Sequence, residues 1–313
     1  MSVAPLNLSW ATQAHVQETS SALSEPAWLA ADRLAALERV AALPAEPNQL
    51  FMTYLDLRAV DFAAVEPYPP SPAAADLTQE ALPVGASALV HVDERAIVSR
   101  VLSPEAEAAG VVIDTLDAVA REHPELVRAF IEGGGSLPGD DAFGQVARAL
   151  HTIGLVVHVP AGVDLAEPIV LRWRHGAPGR GLVSRSIIPL GENAHATVFE
   201  EQIASSAASD LAAARADSIW WGTTEIELAD GATLDFAGEQ DLGPATVAFV
   251  SRQARVGKDA TINWAVASVG SRLHRSRIEN LLEGRGSAVS QVEIGFGDGQ
   301  QLFDLTSYTR HIG

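Results

Sequence analysis

The sequence predicts a mainly β protein: a β-solenoid preceded by an N-terminal α-helical and α+β region. A short motif recurs through the C-terminal half, with Ala-Thr-Val at Ala196, Ala-Thr-Leu at Ala232, Ala-Thr-Ile at Ala260 and Ala-Val at Ala288. The last three alanines are 28 residues apart; the first interval, 36, is longer by eight, and the Ala-rich stretch Ser205–Asp217 supplies a surface insertion there. A glycine stands next to or shortly before each alanine (Gly191, Gly231, Gly257, Gly284), where a coil needs a corner. After each alanine, apolar and polar residues alternate. Leu234/Phe236, Ile262/Trp264/Val266 and Val292/Ile294 are expected inside; Thr233/Asp235, Thr261/Asn263 and Gln291/Glu293 are expected outside. Strand periodicity repeated at a long fixed interval is the signature of stacked coils, which bury their apolar faces against one another.

The elements follow in chain order. A helix is expected around Trp10–Leu23, and a second from Ser24, with Ser24 as N-cap and Glu25 and Pro26 in its first turn. Leu34, Leu37, Val40 and Ala41 continue the second helix at three-to-four spacing until Pro44 and Pro47 end it. Pro67–Pro72 reads as a stiff spacer. Ala88–Val92 and Ala96–Leu102 pair about the turn Asp93-Glu94-Arg95, and Gly110–Asp114 is a third strand. Helices at Leu116–Arg121, Pro124–Ile131 and Phe143–His151 follow, interrupted by Gly133-Gly134-Gly135. That triplet lacks the Lys-Ser/Thr of a nucleotide loop and is expected to be a flexible linker. Alternation resumes with Leu155/Val157/Val159, Ile169/Leu171/Trp173 and Leu182–Leu190. The divisions are an N-terminal helical region over 1–66, a Pro-rich linker over 67–82, a mixed α/β segment over 83–153 and the solenoid over 154–313.

Composition excludes several classes. Of 313 residues, 47% are hydrophobic and 19% charged, as in folded proteins rather than disordered ones. No apolar run approaches a membrane span, and Met1–Trp10 lacks the basic residue and apolar core of a secretory signal, so a cytoplasmic location is expected. A net charge of −19 argues against binding nucleic acid. Cysteine is absent, which removes disulfides, thiolate nucleophiles and cysteine metal sites from these residues.

Four segments together resemble a known family. They are Glu-Pro-Ala-Trp-Leu-Ala-Ala-Asp-Arg-Leu-Ala-Ala-Leu (25–37), Phe-Met-Thr-Tyr-Leu-Asp-Leu-Arg (51–58), Gly-Leu-Val-Val-His-Val-Pro-Ala-Gly-Val-Asp-Leu-Ala-Glu-Pro-Ile (154–169), and the glycine-alanine coils through Phe303-Asp304 and His311. In order and spacing they resemble the SufB/SufD proteins of iron–sulfur cluster assembly. The 51–58 segment, with Phe51 and Leu55 replacing the usual tryptophan and threonine, resembles the SufD branch. The resemblance implies a right-handed parallel β-helix and a non-catalytic scaffold working with a SufB paralogue and the ATPase SufC. It also implies a heterodimer through the solenoid, SufC docking through a C-terminal helical domain lying beyond these residues, and a cluster or iron held only within the complex. The next coil marker falls at 316, so the chain is expected to stop in mid-coil, with self-association through the open end.

Candidate chemistry is sparse. Asp304 and His311 could join an oxygen/nitrogen metal site. His158 and His195 sit in strands and could face outward; Glu200, Glu201, Asp210 and Asp217 are expected to solvate the insertion. Gly297–Gly299 is expected to be a tight turn. No catalytic residue is assigned. A polysaccharide-acting β-helix enzyme and a SufB-like cluster scaffold are the alternatives. A hexapeptide acyltransferase is excluded by the 28-residue period.

Overall fold

The structure is a computed structural model and describes residues 6, 8–44, 57, 60–71, 77, 80–206 and 217–312. Of the 51–58 segment only Leu57 lies among these, and Asp210 with residues 207–216 lies outside them. Helices α1 (Gln13–Ala22) and α2 (Ala27–Ala42) open the described chain. Thr12 caps α1, accepting from the His15 N–H at 3.1 Å. Ser24 does not cap α2. Its backbone is left-handed (φ 54°), Pro26 occupies the cap position, and Glu25 pairs with Arg33 eight residues on.

Strand β1 (Glu66–Pro67) is short, and β2 (Ala88–Asp93) pairs antiparallel with β3 (Ala96–Leu102). Then come α3 (Pro104–Ala108), β4 (Val112–Thr115), α4 (Leu116–Glu122), α5 (Arg128–Glu132) and α6 (Ala142–Leu150). Eleven strands complete the chain: β5 (Ile153–His158), β6 (Ile169–His175), β7 (Arg180–Leu190), β8 (His195–Ala204), β9 (Ser218–Leu228), β10 (Thr233–Asp241), β11 (Thr246–Val256), β12 (Thr261–Ser268), β13 (Leu273–Leu282), β14 (Ala288–Gly295) and β15 (Leu302–His311).

These strands build two sheets. One runs β15-β13-β11-β9-β7-β5-β4, with β1 beside β7; the other runs β14-β12-β10-β8-β6-β2-β3. From β5 onward each strand switches sheet, and from β8 onward its pairing partners are two strands away, always parallel. An apolar cluster between the sheets draws on both of them, including Leu171, Trp173, Trp220, Leu234, Phe236, Ile262 and Trp264. The opposite face of the eight-stranded sheet is also covered. Helices α1, α2 and α6 lie over Val183, Ile219, Trp221, Val247 and Phe249, where Phe143 stacks on Phe249 with centroids 4.1 Å apart.

One corner recurs five times. The carbonyls of Pro160, Gly191, Ala229, Gly257 and Gly284 accept from the N–H three residues later, on Val163, Ala194, Ala232, Ala260 and Ser287. The third residue of each turn has positive φ: Gly162, Asn193, Gly231, Asp259 and Gly286, the residue types that tolerate it best. At Gly284 a Cβ would lie 2.1 Å from the Lys258 backbone nitrogen, so stacked corners exclude any side chain there.

These corners correct the coil register. Ala196 pairs with Leu234, not Ala232, and Ala288 pairs with Thr261, not Ala260. The true equivalents are Ala194, Ala232, Ala260 and Ser287, so the last coil is one residue shorter than the alanine spacing implied. A one-residue shift reverses both faces of a strand. Leu234, Phe236, Ile262, Trp264 and Val266 are buried as expected. In β14, Val289, Gln291 and Glu293 align with the inward Ile262, Trp264 and Val266, while Val292 (54% exposed) and Ile294 (57%) face out.

Two segments read as spacers are packed. Pro67 pairs within β1 against β7, and the Tyr68 N–H donates to the Gly181 carbonyl at 2.9 Å with its ring buried; Pro72 lies outside the described residues. The Gly133–Gly135 loop is pinned: the Gly134 carbonyl accepts from Arg148 at 2.7 Å and the Ser136 N–H donates to Glu225 at 3.0 Å.

Candidate functional site

Asp304 and His311 both lie on β15, seven residues apart, which at about 3.3 Å per residue is roughly 23 Å. Odd and even positions also point to opposite faces, so the pair cannot share a metal ion. Asp304 accepts instead from the Thr306 hydroxyl at 3.2 Å. Among the described residues, no group of three or more His, Asp or Glu side chains is arranged to hold a metal. Gly297–Gly299 forms a turn in which the Asp298 N–H donates to Gln301 at 2.7 Å.

Glu200 does not solvate an insertion. On β8 it shares the inward parity of Ala196 and Val198, and its Oε2 accepts from Arg252 Nη2 at 2.5 Å and Nε at 3.1 Å. Arg252 enters from β11 on the parity of Val250 and Ala254, so a buried ion pair spans the core between the sheets. His274 lies in the same interior with no hydrogen-bond partner for either ring nitrogen among the described residues. Burial, with Arg252 adding to it, lowers its pKa from 6.5 to about 3. Glu201 faces outward and pairs with Arg172 at 2.6 Å; Asp217 pairs with Arg272 at 2.7 Å.

A pH dependence follows. Below pH 6.5 the unfolded chain protonates this histidine while the folded chain does not, so stability is retained above 6.5 and falls from there towards pH 3. Buried His151 acts in the same direction, lowered by burial and then by Arg33 and Arg185. We expect His274→Gln to flatten the acid limb of chemical-denaturation stability between pH 6.5 and 4. An unchanged slope would show that this histidine titrates alike in both states.

A larger set of buried charges lies on the helix-covered face. Arg33 chelates Glu25 and donates to the carbonyls of Ala149 (3.2 Å) and His151 (2.8 Å). Arg185, on β7, donates to Glu225 at 2.8 Å and to Asp32 at 2.9 Å; Asp32 also receives Arg148. Asp141 accepts from Ser251 and pairs with Arg275 at 3.2 Å, whose guanidinium lies 5.0 Å from the Phe143 ring centre. Burial pushes the Asp32 and Asp141 carboxyls up, but the neighbouring arginines outweigh it and hold both below the usual carboxylate range. At the opposite end of the strands, Glu94 collects Tyr68 (2.7 Å), His175 (2.9 Å) and Ser205. Burial raises its pKa, but these partners, His175 first, bring it down to about 2.

Of the outward histidines, His158 contacts the Pro189 carbonyl at 3.2 Å, and His195 lies between Asp164 and Asp235. The remaining exposed feature is the sheet edge. Strands β14 and β15 end their sheets, and Val292, Ile294, Phe296, Tyr308 and Ile312 are exposed on or beside them.

Residues 173–313 match the family model described as SUF system FeS cluster assembly, SufBD core domain. The iron–sulfur cluster assembly protein SufD of Bacillus subtilis (strain 168) is 24% identical across 96% of this chain and 69% of its own length. SufB of the same organism is 22% identical over 66% of this chain. The chain is similar to SufB and SufD proteins and carries a match to their core domain over its C-terminal part. It spans 43% of that SufB, and 45% of a Staphylococcus epidermidis SufBD family protein to which it is 22% identical. In this chain the matched core begins within β6, yet its outer sheet face is completed by α1, α2 and α6, which precede it. Across this boundary Arg185 of the core meets Asp32, Ser251 and Arg275 meet Asp141, and Glu225 accepts from the Ser136 N–H. No helix among the described residues is long and apolar enough to cross a membrane.

Sequence reasoning passed over these charged groups, although one signal was available. Arg252 follows Ala248 and Val250, and Glu200 follows Ala196 and Val198, at the inward spacing of two. A charge on an apolar parity needs a buried partner. The partner itself, 52 positions away, is named only by the fold.

Proposed function

We propose that this chain is a SufD-like, non-catalytic scaffold subunit of the SUF iron–sulfur assembly machinery, acting with a SufB paralogue and the ATPase SufC in the cytoplasm. The observation that carries the reading is the collinear match to SufD across 96% of the chain. Strands that alternate between two parallel sheets through stacked corners support the finer fold, a right-handed parallel β-helix. Pairing with the SufB paralogue is assigned to the solenoid. SufC is assigned to a helical domain outside these residues. Any iron or cluster belongs to the assembled complex, because this chain supplies no cysteine thiolate.

Co-expression with SufB and SufC of the same source, followed by gel filtration, tests this reading. We expect the chain to co-elute with SufB and cluster absorption to follow the complex rather than the chain alone. A chain that remains monomeric beside SufB would remove the scaffold assignment.

A further inference from the structure

On the outer face of the seven-stranded sheet, residues from successive corners meet. Asp164 bridges in parallel to His195, the first residue of β8; Asp235 is on β10, and its direct partner on β12 is Asn263. All point away from the core, as the burial of Ala196, Leu234 and Ile262 beside them requires.

His195 Nδ1 lies 3.1 Å from Asp164 Oδ1, a normal N–H···O length, which places the proton of the neutral ring on Nδ1. The lone pair of Nε2 then faces Asp235 Oδ2 at 3.4 Å. That separation is too long for an ordinary hydrogen bond, and it sets two acceptors against each other. The other Asp235 oxygen accepts from Asn263 Nδ2 at 2.7 Å, which holds the carboxylate in this pose. A cation between Nε2 and Oδ2 resolves the opposition. An imidazole nitrogen and a carboxylate oxygen each about 2.0–2.1 Å from a tetrahedral ion stand about 3.4 Å apart.

We propose that His195 Nε2 and Asp235 Oδ2 form a surface site for a divalent transition-metal ion. Asp164 and Asn263 orient the two ligands from behind, and water completes the coordination. The side chains of His195 (43% exposed) and Asp235 (44%) leave that space open. A nitrogen-and-carboxylate donor set suits zinc and similar ions. The carboxylate behind the imidazole both fixes the tautomer and makes Nε2 a better donor. Because the ligands sit on stacked strands rather than on a loop, their spacing is set by the sheet register.

The test is calorimetric titration of the full chain with zinc chloride, beside His195→Ala, Asp235→Asn and Asp164→Asn. Each variant is first checked for an unchanged thermal melt, as expected of partly exposed side chains. We expect one saturable zinc equivalent in the parent chain, lost in His195→Ala and Asp235→Asn and weakened 10–100-fold in Asp164→Asn. Undiminished binding in His195→Ala would place the ion elsewhere, for instance at exposed His123 or His311, and overturn the proposal. Absence of saturable zinc binding in the parent would overturn it too.

Discussion

Arg185→Ala should destabilise the chain by about 3–5 kcal/mol, the usual cost of breaking a buried ion pair by removing one partner. The arginine is fully buried, as is Glu225, and its guanidinium also holds Asp32. Truncation leaves two carboxylates facing a space that water reaches poorly. Burial disfavours the charged arginine, but Glu225 and Asp32 outweigh it and raise its pKa. Arg185→Lys should rescue little, because a single ammonium cannot reproduce the planar fork that reaches both carboxylates. Urea unfolding supplies the readout, with the midpoint shifting at constant m-value. A change below about 1 kcal/mol would mean that the network contributes specificity rather than stability.

Trp264→Ala should cost about 3–5 kcal/mol, the range for deleting a buried large aromatic. Trp264 is 2% exposed, its ring centre is 5.0 Å from that of Phe236, and its Nε1–H donates to Asn280 Oδ1 at 2.8 Å. The truncation therefore opens a cavity and also strands a buried acceptor. Val292→Ala is the paired control and should stay within about 0.5 kcal/mol, as for other surface substitutions. Were β14 in the register that alanine spacing suggested, Val292 would be a core residue and its truncation would be costly. Equal losses at the two positions would sink the register described above.

Some of the candidate chemistry was legible and some was misplaced. His195 was picked out as an outward strand histidine, and it faces outward between two carboxylates. Asp304 and His311 are near neighbours in the chain but lie on one extended strand, where seven residues are a long distance and an odd interval changes face. Glu200 looked like solvated charge beside a polar insertion, yet its parity with Val198 sends it inward to Arg252.

The sequence by itself determined the mainly β class, the strands β5, β6, β7, β10, β12 and β14, glycines at or beside the corners, and the inward faces of β6, β10 and β12. Each of these depends on local chemistry: a period of two along a strand, and glycine, asparagine or aspartate where φ is positive. Tertiary structure alone decided how neighbouring coils align and which buried charges meet. Shortening one repeat by a single residue leaves the local alternation of β14 intact but exchanges its faces, and only pairing with β12 reveals the exchange. Asp32 and Arg185 are 153 positions apart, and Asp141 and Ser251 are 110. Nothing local links such residues. The helical layer must first dock on the sheet, because burial there is what obliges each charge to find its partner.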